Sequence, residues 1–260
     1  MSRIETQNEI IEEEDRIGVM THVIVGYPTL QATEDLVITM AENGADFIEL
    51  QIPFSDPVAD GPTILKASQI ALDNGTTVEN AFTLARNLRQ KGVTIPLLFM
   101  TYANIVNATG IQQFVKKSAK VGIDGFIIPD LPFNTQEGEE MFLLAQQHSL
   151  EMIPLYAPTM NTDRYELLKN YAQNIIYAVS RTGVTGVKGT NSETDLDIYL
   201  DTIKKTTSAK TKIALGFGIQ SHEQIKNLKN VVDTVVIGSH LVRLFDEQGN
   251  EGVAEFLQKI

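Results

Sequence analysis

"ADFIELQIPFSDPVADGPTI", residues 45–64, decides the fold. It opens on a short, nearly continuous apolar run, the pattern of a strand covered on both faces, and passes into a loop stiffened by Pro53, Pro57 and Pro62. Such a loop is a poor hairpin turn, and helical spacing follows it from residue 62, so the segment reads as strand, loop, helix. Three carboxylates, Glu49, Asp56 and Asp60, are held in residues 49–64 of this unit.

Working outward, similar runs recur at 18–26, 95–102, 125–130, 151–158, 175–180, 212–218 and 234–239. Together with 45–53 they make eight candidate strands of a parallel sheet. The segments between them carry apolar residues at helical spacing. "ENGAD", "QKGVT" and "KVGIDG" each place a glycine just past a polar last turn, where a helix ends before the next strand. A doubly wound open sheet shares this local signature, but eight units in 260 residues favour a closed (β/α)₈ TIM barrel, an α/β fold. The reading predicts one barrel domain over 1–260, an extra N-terminal helix at 1–15 capping its bottom, and an inserted helix at 62–74 that breaks near 73–77.

The remaining composition narrows the function. A formal charge of -12 without a dense basic cluster argues against nucleic acid. Without cysteine there is no disulfide framework, thiolate nucleophile or zinc-thiolate site, which fits a cytoplasmic location. The acidic start lacks the pattern of a signal peptide, and no apolar run is long enough to span a bilayer.

Polar residues at the C-terminal ends of barrel strands face the site shared by the βα loops. Period-two geometry sets Glu49 opposite Ile48 and Leu50, so if those two pack against helices, Glu49 points into the barrel mouth. A desolvated glutamate there suits proton transfer, although a structural carboxylate fits the local pattern equally well. Asp56 and Asp60 each read first as turn or cap residues; the stiff loop tilts Asp60 toward function. Late in the chain, Gly218, Gly238 and Ser239 follow the last two strands, where barrels cradle phosphate on bare N–H groups. "TGVTGVKGT" (182–190), with Arg181 before it, reads as a closing loop.

These motifs resemble the tryptophan synthase α-subunit family, in which "ELGIPFSDPxADGPxI", "SRTGVTG", "GFGI" and "GS" occur in this order and at these distances. The resemblance covers nearly the whole chain. It implies a lyase that splits indole-3-glycerol phosphate into indole and glyceraldehyde 3-phosphate, with no cofactor in this chain. It also implies a β subunit carrying pyridoxal phosphate, which receives the indole within an α₂β₂ heterotetramer. Glu49 resembles the general acid/base and Asp60 the carboxylate that binds the indole N–H. Tyr102, Ile127, Ile153, Tyr177 and Phe217 fall at indole-pocket positions, Gly186, Gly218, Gly238 and Ser239 at phosphate contacts, and Thr185 at the closing-loop threonine that orders Asp60.

Two residues depart from the family pattern. Gln51 replaces a glycine beside Glu49, on the same face, where it would bond Glu49 or crowd the pocket. His22 stands where an aromatic residue is usual, in a "THVIVGYP" segment lacking the usual small polar residues. They keep two alternatives open: a catalytically weak allosteric partner of the β subunit, and a stand-alone lyase releasing free indole.

Overall fold

The computed structural model describes residues 1–179, 193–216 and 218–260. Helix α1 (Arg3–Glu13) leads into β1 (Gly18–Ile24), α2 (Leu30–Glu42), β2 (Phe47–Gln51), α3 (Pro62–Asp73), α4 (Val78–Gln90) and β3 (Leu97–Met100). Then come α5 (Ala103–Thr109), α6 (Ile111–Val121), β4 (Gly125–Ile127), α7 (Gln136–Gln147), β5 (Glu151–Met152), β6 (Leu155–Tyr156), α8 (Thr162–Leu168) and β7 (Ile175–Val179). The chain ends with α9 (Glu193–Thr206), β8 (Lys212–Gly216), α10 (His222–Leu228), β9 (Thr234–Ile237) and α11 (Ser239–Leu257).

The strand pairs are all parallel, in the order β5-β4-β3-β2-β1-β9-β8-β7-β6. Here the structure corrects the expectation of one strand over 151–158. Pro154 has no N–H for a ladder, and the strand divides around it into β5, paired with β4, and β6, paired with β7. Backbone bonds bridge the break: Ile153 N–H donates to Phe126 O at 2.9 Å, and Tyr177 N–H donates to Pro154 O at 3.0 Å. The covalent chain through 153–154 therefore joins the two sheet edges, and the sheet is a closed barrel of eight strand positions.

Alternation sorts the strand residues into two shells. Ile48 and Leu50 join the outer core between sheet and helices, whereas Phe47, Leu98 and Ile127 fill the barrel interior. In the outer shell Phe82 on α4, Phe99 on β3, Phe114 on α6 and Phe126 on β4 form a row of rings with successive contacts of 5.6, 6.1 and 5.5 Å. Such pairs add about 0.5–1.5 kcal/mol each beyond area burial. Helix α1 closes the bottom as expected, with Ile4 and Ile11 packed into the interior cluster. The inserted helix is α3, and α4 restarts behind Thr77, whose hydroxyl forms a capping box with Asn80.

Acidic residues tie neighbouring strands together at this N-terminal end. Asp46 accepts the N–H of Val19 (2.8 Å), Asp124 that of Leu97 (2.8 Å) and Asp233 that of Ile213 (2.8 Å). Glu151 accepts the side chain of Asn174 at 2.6 Å. Each contact joins strand positions one and two, three and four, five and six, or seven and eight.

Candidate active site

Register places His22 beside Glu49 on adjacent strands, both pointing into the barrel, with Gln51 one inward position nearer the mouth. Their side chains form a continuous string. His22 Nδ1 lies 2.6 Å from Glu49 Oε2, His22 Nε2 lies 2.7 Å from Gln51 Oε1, and Gln51 Nε2 donates to Asp60 Oδ2 at 2.6 Å. Glu49 is 2% exposed, and its Oε1 has no hydrogen-bond partner among the described residues. One carboxylate oxygen is thus committed to the string, and the other is not engaged by any described residue.

The loop separates the two aspartates. Asp56 is exposed and paired with Ser55, whereas Asp60 is buried. Neither caps α3: Gly61 is the N-cap, with Pro62 in the first turn. Asp60 instead turns inward to Gln51 and to the Tyr102 hydroxyl. Burial raises its pKa above the ordinary aspartate range, and His22, Gln51 and Tyr102 offset only part of that rise. At His22 burial opposes the charged form, yet the bond and charge of Glu49, the charge of Asp60 and the bond to Gln51 outweigh it and raise the pKa.

Around these groups the barrel is apolar. Tyr102, Ile127, Ile153 and Tyr177 belong to one interior cluster, and Phe54 stacks on Tyr102 with ring centroids 5.3 Å apart. Burial and then the negative charges of Glu49 and Asp60 keep the Tyr177 phenol protonated. The structure thus brings together Glu49, Asp60 and four of the five expected pocket residues; Phe217 lies outside the described residues, as do Arg181, Thr185 and Gly186.

At the rim, Gly238 is the N-cap of α11 without a side-chain cap, and Ser239 is the first helical residue. The N–H groups of that first turn have no partners within the helix, so with the positive end of the dipole they favour an anion. Gly249, at φ +66°, interrupts α11, so the part starting at Ser239 is a short helix of its own, at the position where barrels commonly carry an extra helix. A Cβ on Gly238 would stand 3.5 Å from His22 Cβ, so this rim adjoins the string. Gly218 has φ +66°, a conformation that favours glycine, and no described residue lies near its missing Cβ.

Gln51 bonds His22 and Asp60 instead of Glu49. The sequence signalled two unusual polar residues, but partner choice depends on loop 52–61 folding back, which strand periodicity does not encode. Phe54 was missed because it follows Pro53, beyond the alternating strand. A cavity of about 160 Å³ lies at the opposite end of the barrel, lined by groups including Arg16, Lys212 and Asp233, and contains none of the expected site residues.

A family model described as "Tryptophan synthase alpha chain" matches residues 9–259. The tryptophan synthase alpha chain of Desulfotalea psychrophila is 41% identical over 258 residues, covering 98% of this chain and 99% of that protein. A solved Mycobacterium tuberculosis tryptophan synthase chain superposes with a TM-score of 0.90 at 27% identity, covering 99% of this chain and 96% of its own. A chain of the tryptophan synthase complex from Pyrococcus furiosus gives 0.80 at 30% identity, with 93% and 95% covered.

Proposed function

Because this chain belongs to the tryptophan synthase alpha chain family, whose members are lyases that cleave indole-3-glycerol phosphate, we propose that Glu49 moves the protons of that cleavage and Asp60 holds the indole N–H. The reaction breaks the bond between indole C3 and the adjacent glycerol carbon. A proton is added to C3, the hydroxyl on that carbon loses its proton, the C–C electron pair returns to the ring, and an aldehyde forms. Glu49 Oε1, buried and unpartnered among the described residues, is the observation that carries this reading. Asp60 in its ionised form offsets the positive charge that develops on the ring nitrogen.

The apolar walls formed by Tyr102, Ile127, Ile153 and Tyr177 suit an indole ring, with Phe217 as a further wall. Gly218, Gly238 and Ser239 hold the phosphate at the rim, Gly186 adds a donor, and Thr185 orders Asp60 on loop closure. The whole of 1–260 acts as one barrel domain in the cytoplasm, with no cofactor of its own. Its partner is a pyridoxal phosphate β subunit in an α₂β₂ assembly. The relatives that are tryptophan synthase complexes support this partner.

The test is indole release from indole-3-glycerol phosphate by the purified chain, alone and with a β subunit. A large rise on adding the partner is expected. Full activity alone favours a stand-alone lyase, and no turnover in either state, with the β subunit nevertheless activated, favours a regulator. Asp60→Asn is expected to lower kcat by about 10²–10³-fold, and an effect below about tenfold would remove the charge-stabilising role. The raised pKa of Asp60 sets the sign of the acid limb. Activity is present above that value and falls as Asp60 is protonated, so kcat/KM declines from a higher pH than an ordinary aspartate would give.

A further inference from the structure

Gln51 fixes the direction of every bond in the string. Asp60 Oδ2 accepts, so the Gln51 amide nitrogen donates to it and Gln51 Oε1 must accept from His22 Nε2–H. Nε2 therefore carries a proton, and a single proton remains for the 2.6 Å contact between Nδ1 and Glu49 Oε2. Two arrangements satisfy that contact: imidazolium with carboxylate, and imidazole with carboxylic acid.

We propose that His22 and Gln51 are positioning residues for the lyase reaction, aligning Glu49 with Asp60 and letting Glu49 share one proton with His22 Nδ1 as it alternates between acid and base. This inference rests on the reading of Glu49 as the acid/base. In the forward cleavage the shared proton goes from Glu49 to indole C3, leaving carboxylate. The glycerol hydroxyl then returns its proton to Glu49 as the C–C pair flows back to the ring, so the string ends as it began. Neither step draws a proton from bulk water, which suits a glutamate 2% exposed.

The groups facing His22 determine how it titrates. Glu49 lies beside it on β2, Gln51 follows on the same strand, and the Asp60 charge reaches it from the loop; Gly238 of the neighbouring rim brings no titratable side chain. Tyr102 on the β3 side and Tyr177 on β7 remain neutral phenols, both raised first by burial. The raised pKa of His22 means that the shared proton is kept to higher pH than an isolated imidazole would keep it.

The test compares the full chain with His22→Phe, His22→Gln and Glu49→Gln, assayed with a β subunit across pH. His22→Phe is expected to lower kcat by about ten- to hundredfold with KM little changed, and to move the alkaline limb of kcat to lower pH. His22→Gln restores a hydrogen-bonding side chain that does not titrate, so it recovers part of kcat while its alkaline limb stays displaced. An unmoved limb in His22→Phe overturns the proposal. If Glu49→Gln is inactive while His22→Phe keeps the parent pH profile, only the positioning role fails; an active Glu49→Gln removes the acid/base reading itself. Should His22→Phe fail to fold, ¹⁵N spectra of the His22 ring in the parent protein decide: Nε2 protonated throughout the neutral range is expected, and a tautomer protonated only at Nδ1 overturns the proposal.

Discussion

Glu49→Gln is expected to lower the rate of indole release by about 10³-fold or more at neutral pH, toward the upper end of what general acid/base catalysis contributes. Glutamine fills the same volume and its amide can still reach His22 Nδ1, so position and packing are kept. It has no proton to give to indole C3 and no basic oxygen to take the glycerol proton. Because both proposed events use the one Glu49 carboxyl group, one substitution removes both. Single-turnover indole formation measures the loss, and a circular dichroism melt close to that of the parent shows that the barrel is intact. Activity within about tenfold of the parent would assign the chemistry to another group.

Asp46→Ala is expected to destabilise the fold by about 3 kcal/mol. Asp46 is 3% exposed and accepts from Gln7 (2.7 Å), Val19 N–H (2.8 Å) and both terminal nitrogens of Arg16 (2.6 and 2.7 Å). Alanine leaves a buried amide and a strand N–H without their acceptor, and a half-buried guanidinium without its partner. The Arg16 pair is partly solvent-screened, so most of the loss comes from Val19 and Gln7. Urea unfolding should show a lower midpoint with an unchanged slope. Because this group lies at the end of the barrel away from Glu49, kcat of the folded variant should stay within a few-fold of the parent. A stability change below about 1 kcal/mol would mean that water replaces the carboxylate.

The strand count and the inward direction of Glu49 were legible because both follow from hydrophobic periodicity, a local property. Gly44, Gly92 and Gly122 were readable as helix ends for the same reason, and each has positive φ. The division at Pro154 was less visible: an apolar run looks alike whether it pairs with two neighbours in one register or exchanges partners midway. The stiff loop tilted Asp60 toward function, but its burial beside a solvated Asp56 was not legible, since only four residues of one loop separate the two. The bond from Gln51 to Asp60 spans nine positions and depends on where three prolines send the backbone. Asp46, Asp124 and Asp233 went unnoticed because an aspartate before a strand is ordinary turn chemistry until the N–H that donates to it is known.

Those acidic ties have a consequence for how the chain could be rearranged. Each joins an odd strand position to the even one after it, and none of these four ties at the N-terminal end joins one pair to the next. The barrel is in this respect four two-strand modules joined edge to edge. New termini opened in 91–96, between the second and third strand positions, would leave every tie inside an unbroken module. New termini opened at 122–124 would free Asp124 from the segment that aims it at Leu97. Fragments meant to reassemble, or a circularly permuted chain, should therefore be cut between modules and not within one.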